Sequence, residues 1–477
     1  MNSMSLSFSR LRLPLLISTV LLLLPAGLTD AQTSSVPPPS GDLRMWKPTV
    51  VSDTLPNGLR YFFTRVNELP LCEVNVVVDA GMNREGEHEH GASYAVTHLL
   101  LRGSEKRSGE MVESFLEEQG SVVVPYAHYD YAQLYAKALS KNFQAVTEVL
   151  ADAVIAPKFE ENAVLVLKQQ ASRLAEAHYS AGELATAAVL QRLCGDGVVL
   201  ARRLQPSGSE IEALSRATIN AFHQRHYQPQ HCTVIVTGNL DAAFVRTVLQ
   251  EHFGSWRRGT DVPRRPLTVP SDDAIVVLND TSNTKGLAFY RIGVPALRQN
   301  DPRFATLVLL NNLLGEGQDS RLRSLFWQRR TVSSTFSSNV AVSSDCAYLL
   351  ITGSASPLQA DSVLLLLRED LRALATDGPS AEDLEARKKA LLKDRAVMFA
   401  ANRTVQSVLK EAAVYGESVE QALGFAERVE AVTPADVRAL AAELFATDRQ
   451  RIVIAGHGER LRNALRAQFP ALRVIDL

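Results

Sequence analysis

The chain has 477 residues, 46% of them hydrophobic, which is enough to bury a substantial core and to form two or three domains. Its 50 lysines and arginines nearly balance 52 aspartates and glutamates, so no global field draws it to nucleic acid or to an acidic surface. Four cysteines, none in a C-x-x-C pair, are too few for a disulfide-built fold and exclude a zinc ribbon or a dithiol redox motif, and the composition excludes collagenous, disordered and multi-spanning membrane classes.

Arg10 and Arg12 precede the apolar run Leu15–Leu24, and Thr29-Asp30-Ala31 supplies small residues before a cleavage point. This reads as a secretory signal peptide over residues 1–31, too short to span a bilayer stably, so the mature chain begins near Gln32 and is placed in the periplasm. No cysteine stands at the cut to carry a lipid. Residues 32–48, with Pro37-Pro38-Pro39, form an extended tether. Export exposes the cysteines to oxidation. Cys72 and Cys232, both in strands of the first half, are candidates for a bridge, the alternative being that all four cysteines are buried small apolar residues.

Leu55-Pro56-Asn57-Gly58-Leu59 is a tight turn feeding a strand at Arg60–Thr64, because Asn-Gly readily takes positive φ. Over Leu71–Val78 the valines and Cys72 alternate with Glu73 and Asn75, the pattern of a half-buried strand. Helical periodicity follows at Ser93–Leu101, Gly109–Glu118, Lys141–Ile155 and Glu160–His178. Ser215–Leu240 matches Thr433–Gly458 at a constant offset of 218 residues, each copy running from an N-cap through a helix into a strand closed by glycine. Helices thus alternate with pairs of strands, an α+β pattern, and the repeat makes two homologous halves that face each other across a cleft. The halves span residues 49–256 and 272–477. The arginine- and proline-rich stretch Arg257–Ser271 reads as a solvated linker.

The turn Leu55–Leu59, the strand ending Val76–Gly81 and the run Gly91-Ala92-Ser93-Tyr94-Ala95-Val96-Thr97-His98-Leu99-Leu100-Leu101-Arg102-Gly103-Ser104 together resemble the opening of the pitrilysin/insulinase (M16) metallopeptidases, which include the mitochondrial processing peptidase subunits. The resemblance continues through Gly238, Asp301–Gly317 and Ser320-Arg321-Leu322, covers nearly everything from Val50 to Ala455, and implies that each half is an antiparallel-rich sheet packed with helices and that the two halves form a clamshell. It implies H-x-x-E-H on a helix, where two histidines four apart bind zinc and the glutamate polarises a zinc-bound water, with a later glutamate as third ligand. The corresponding residues here are Tyr94, Thr97 and His98. Glu161 keeps a supporting acidic position, and Lys168 replaces the glutamate ligand. One imidazole cannot hold a catalytic zinc, and threonine cannot serve as the base. The expectation is a degenerate site with no cofactor, in which Lys168 lies near His98 and Glu161 and replaces part of the lost metal charge.

The family's substrate-binding edge aligns with Val124-Pro125-Tyr126-Ala127, where proline removes a ladder donor and leaves Val124 and Tyr126 as candidate contacts. An arginine and a tyrosine seven apart in the second half align with Trp327 and Ser334, with Arg329 and Arg330 close by. His88-Glu89-His90 follows Glu85-Gly86-Glu87 in a polar, solvated loop. His128 among Tyr126, Tyr129 and Tyr131 is either an aromatic binding patch or strand packing.

The resemblance implies an exported, catalytically inactive homologue, partnered by an active peptidase subunit or by a second copy of itself, that helps to bind peptide. One alternative is an active zinc endopeptidase with displaced ligands drawn from His88, His90, His98, Glu161 or Glu176, the only reading in which zinc is a cofactor. The other is an envelope scaffold or peptide-binding protein.

Overall fold

A computed structural model of the chain describes residues 48–66, 69–171, 179–264, 267–269, 275–280, 286–316, 319–328, 335–399 and 402–476. The signal-peptide reading and the tether up to residue 47 lie outside the described residues. Among the described residues no helix is long and apolar enough to cross a membrane. Residues Arg44–Leu477 form one compact unit.

Twelve strands form two six-stranded sheets among the described residues: β1 Val50–Thr54, β2 Arg60–Arg65, β3 Leu71–Val78, β4 Val122–Ala127, β5 Ala132–Leu139 and β6 Cys232–Gly238, then β7 Ile275–Asn279, β8 Ala288–Pro295, β9 Thr335–Val342, β10 Ala347–Ala355, β11 Arg451–Gly456 and β12 Leu472–Asp476. The first sheet runs β1-β2-β6-β3-β5-β4 and the second β12-β7-β11-β8-β10-β9. Five strands of each, β2-β6-β3-β5-β4 and β7-β11-β8-β10-β9, follow the same order, as the internal repeat requires. The sixth position differs: β1 is antiparallel to β2, whereas β12 is parallel to β7. The repeat's caps are present, with Ser215 Oγ accepting from the Thr218 N–H and Thr433 Oγ1 from that of Asp436.

One face of each sheet carries its own half's helices over a large apolar core. The other face is covered by a helix from the opposite half. Ala181–Cys194 lays Ala185, Val189 and Leu193 on Val276, Val453 and Leu350 of the second sheet. Reciprocally, Asn402–Tyr415 lays Val405, Val408 and Leu409 on Phe62, Val77 and Ile235 of the first. This exchange corrects the half-buried reading of β3, because Glu73 and Asn75 are buried beneath the crossing helix.

The exchange also decides the disulfide. Cys194 ends the crossing helix and bonds Cys346 in the turn before β10, which ties the halves covalently. Cys72 and Cys232 are buried and unbridged, so the reading of the cysteines as buried apolar residues holds for these two and not for Cys194 and Cys346. The register explains why: on the β3–β6 pair Cys72 stands opposite Gly238 and Cys232 opposite Val78, so the two lie about 20 Å apart at ~3.4 Å per residue. Burial pushes the Cys72 thiol up to about 12.

The linker is only partly solvated. Arg257 and Arg258 are exposed, but Arg264 donates to Asp79 at 3.0 Å and lies 3.6 Å from Asp345 across the junction of the halves.

Candidate functional site

The helix Ala92–Leu99 holds the positions expected to carry the chemistry. It begins at Gly91, whose φ of +86° favours glycine and where a Cβ would stand 3.0 Å from Ile211 Cδ1. Its first turn is capped by the Glu85 side chain, which accepts from the Ser93 N–H at 3.1 Å and from Arg202 at 3.3 Å. Burial pushes this carboxyl up to about 7, against the pull of Arg202 and of the Ser93 and Gly91 N–H groups. Glu89 is paired with Arg225. The loop expected to be polar and solvated is thus pinned at two points, while His88 and His90 stay exposed.

Tyr94 and His98 share one helix face as their spacing demands, with ring centroids 4.1 Å apart. Burial first, and Arg102 second, push the His98 pKa down, which favours a neutral imidazole. Thr97 is fully buried, and its hydroxyl donates to the Ser93 carbonyl at 2.7 Å within the helix. Glu161 is exposed in the first turn of Glu161–Ala171. Lys168, on the same helix, donates its Nζ to the Glu212 carbonyl oxygen at 2.7 Å, satisfying an acceptor at the end of the Gly208–Ala213 helix.

The residues present do not fit zinc. They offer one imidazole, a phenol whose pKa burial raises, a hydroxyl spent inside its helix and an ammonium. Among the described residues no three His, Cys, Asp or Glu side chains cluster as metal ligands. Glu176, His178, Ser334, Arg329 and Arg330 lie outside the described residues, as does the side chain of Trp327 in the Arg321–Gln328 helix.

Beneath Thr97, 3.4 Å from its hydroxyl, lies the Tyr227 hydroxyl, and the Tyr227 ring stacks on His223 at 4.7 Å. His223 Nε2 lies 2.9 Å from the Val154 carbonyl oxygen, and burial pulls its pKa down to about 4. The folded chain keeps this ring neutral, whereas the unfolded chain takes a proton below about pH 6.5. Stability is therefore present above pH 6.5 and lost as pH falls towards 4, by about 3 kcal/mol for this residue, and His226 acts in the same direction. Urea midpoints are expected to fall across that window, and to fall less in His223→Gln, which keeps a donor for Val154.

β4 is the outer edge of the first sheet, with Val122, Val124 and Tyr126 exposed. The His128 N–H donates to the Tyr131 carbonyl at 2.8 Å, which fixes the ladder: alternate positions face β5, and Pro125, paired with Leu134, falls on an outward-facing one. Proline therefore removes a donor from the free edge, where an added strand would bind.

Val124 and Tyr126 line a cavity of about 780 Å³ between the first sheet and the helix Asn402–Tyr415. His128, Tyr131 and Lys410 stand between it and a second cavity of about 780 Å³ lined mainly by the second half. The aromatic cluster is thus both packing and wall: His128 stacks on buried Tyr131 at 4.6 Å, while Tyr126 is open to the cavity. Sequence reasoning missed Glu73, Asn75, Gln133 and Gln406 on its walls. Strand alternation put Glu73 and Asn75 on a solvated face, and nothing local in the sequence announces the crossing helix.

Residues 63–193 match the family model described as insulinase (peptidase family M16), and residues 213–391 match the peptidase M16 inactive domain. An uncharacterized zinc protease of Streptomyces coelicolor is 24% identical over 408 residues, covering 83% of this chain and 87% of that protein. Subunit 1 of the mitochondrial cytochrome b-c1 complex of Bos taurus is 28% identical over 199 residues, 42% of this chain and 41% of its own length. Among solved structures, a peptidase M16 inactive domain from Pseudomonas fluorescens matches with a TM-score of 0.75 at 19% identity, over 85% of this chain and 98% of that one. The first half of the periplasmic protease PqqL from Escherichia coli matches with a TM-score of 0.69 at 18% identity, over 88% of this chain and 95% of that fragment. Of the whole PqqL chain the match covers 49%.

Proposed function

Because the chain belongs to the M16 (insulinase) peptidase family, we propose that it is an exported, catalytically inactive member that serves as the non-catalytic partner of an active zinc peptidase and helps to hold peptide. The carrying observation is the donor set on the Ala92–Leu99 helix and its neighbour: Tyr94, Thr97 and Lys168 supply neither metal ligands nor a base, the Tyr94 ring lying against His98, the Thr97 hydroxyl bonded within its helix and Lys168 bonded to the Glu212 carbonyl. Pairing is supported by size, since the chain matches about half of PqqL, and by a relative that is named as a subunit of a larger complex. Export is supported by the charged and apolar N-terminus and by the Cys194–Cys346 bridge, which suits an oxidising compartment.

The test is elemental analysis of the chain purified from Gln32 onward, with cleavage of a mixed pool of unstructured peptides before and after adding zinc, and a pull-down from the native host. No stoichiometric zinc, no cleavage and co-purification of a homologue with intact H-x-x-E-H are expected. One zinc per chain, lost in His98→Ala and accompanied by chelator-sensitive cleavage, would replace this reading with the displaced-ligand enzyme. Isolation without any such homologue would favour the scaffold.

A further inference from the structure

The two crossing helices occupy equivalent places, but what lies beneath them differs. Under Ala181–Cys194 the contact is closed: a Cβ on Gly293 would stand 2.3 Å from Leu193, and Arg291 donates to Thr186 Oγ1 at 2.7 Å and to the Gly182 carbonyl at 3.1 Å on the crossing helix. Under Asn402–Tyr415 it is polar and hollow. Glu73 and Asn75 pair with Thr237 and Ile235, and at the matching positions of the repeat Phe289 and Arg291 pair with Ala455 and Val453. Gln133 opposite Val77 likewise corresponds to Leu350 opposite Gly293. The fold can thus close this contact with apolar groups and a cation bonded to the helix, and in the first half it does not.

Glu73 Oε2, Asn75 Oδ1, Gln133 Oε1 and Gln406 Oε1 are enclosed acceptors without a hydrogen-bond partner among the described residues, and all four side chains line the same cavity of about 780 Å³. Glu73, Asn75 and Gln406 are only 6%, 4% and 2% exposed. The amide of Gln406 is oriented by its donor end, since Nε2 donates to the carbonyls of Glu73 and Ile235 at 3.3 Å and to Thr237 Oγ1 at 3.1 Å, which leaves Oε1 for another group. Buried acceptors without donors are costly, and several on one cavity call for a donor-rich guest.

We propose that this cavity binds a primary ammonium group, which Glu73, Asn75, Gln133 and Gln406 receive through its three N–H donors. Glu73 supplies the opposite charge, and Tyr126 at the opening supplies an aromatic face for the attached carbon chain. One carboxylate among amide oxygens suits an organic ammonium better than a divalent metal. Two lysines also line the cavity. The Lys410 ammonium is held by the Tyr131 hydroxyl at 2.8 Å, whereas Lys137 stands opposite Glu73 in the β3–β5 ladder and is exposed, which makes it the internal competitor. The site is independent of the zinc argument, and its failure would leave the proposed function untouched.

Calorimetric titration of the full mature chain with cadaverine, Nα-acetyl-lysine amide and the uncharged Nα-acetyl-norleucine amide tests this. An ammonium probe is expected to bind with a stoichiometry of one, and the norleucine probe at least about 10-fold more weakly, with Glu73→Gln losing a similar factor. Gln133→Leu, at a partly exposed position, is the second variant, expected to weaken binding several-fold while circular dichroism confirms that it folds. Cadaverine binding alone would assign a free amine, and binding of the lysine amide a peptide side chain. Equal binding of the norleucine probe, no binding of any probe to the native and Lys137→Ala chains, or binding only after Lys137→Ala would each overturn the proposal, the last by assigning the oxygens to Lys137.

Discussion

A chain carrying both Tyr94→His and Lys168→Glu is expected to take up about one zinc ion per molecule, and a chain carrying either change alone none, because three protein ligands are the usual minimum for a catalytic site. Half of the geometry already exists: Tyr94 and His98 stand on one helix face with rings 4.1 Å apart, so a histidine at 94 places two imidazoles side by side. The third ligand comes from the Glu161–Ala171 helix, whose Val164 and Leu167 are buried in the same core as Ala95, Val96 and Leu99. Glutamate at 168 exchanges a repelled cation for an oxygen donor and gives up the bond to the Glu212 carbonyl, an exposed contact of small worth. Cleavage is not expected to return with the metal, since the Thr97 hydroxyl is turned into its own helix. Adding Thr97→Glu supplies a base but crowds a fully buried position beside Tyr227, at about 1–3 kcal/mol of stability. Equilibrium dialysis with elemental analysis reads the first effect, and peptide cleavage the second. A folded double variant that stays free of zinc would show that position 168 is not the third-ligand position.

Features set by local spacing were legible in the sequence. β3 runs over Leu71–Val78 and a helix over Gly109–Glu118, as their periods predict, and the repeat's N-caps at Ser215 and Thr433 make the expected bonds. The pairing of Tyr94 with His98 was equally visible, because a spacing of four residues is a property of one helix. What packs on a strand's far face is not such a property. Glu73 and Asn75 alternate with valines as solvated residues would, yet a helix more than 300 residues later covers them, and Gln406 reaches the Glu73 carbonyl. Cysteine pairing failed for the same reason, since it depends on where the Ala181–Cys194 helix crosses. The bond of Lys168 to Glu212 was not legible, because the partner is a backbone oxygen, which no residue pattern encodes.

Asp130→Ala is expected to cost about 3–5 kcal/mol and Cys194→Ser about 2–4 kcal/mol, with the double variant losing less than their sum. Two hairpin turns meet where the halves join, residues 128–131 of the first and 343–346 of the second. Asp130, 1% exposed, holds them together: Oδ1 accepts from Asn83 at 3.1 Å, from the Ser344 N–H at 2.9 Å and from the Ser344 hydroxyl, while Oδ2 accepts from Tyr415 at 3.2 Å. Alanine takes this acceptor from the Ser344 N–H and hydroxyl and from the Tyr415 hydroxyl, while Asn83 keeps its bond to Ser344 Oγ at 2.8 Å. The disulfide acts on the same turn from its other end, through Cys346, and closes a sequence separation of 152 residues. Once the bridge is cut, ordering Ser344 against Asp130 costs more conformational entropy, so the bonds to Asp130 are worth less and their removal costs less. Denaturant unfolding of the four chains measures the coupling. Strict additivity would mean that the turn is ordered by its own backbone, and that bridge and carboxylate stabilise the joined halves independently.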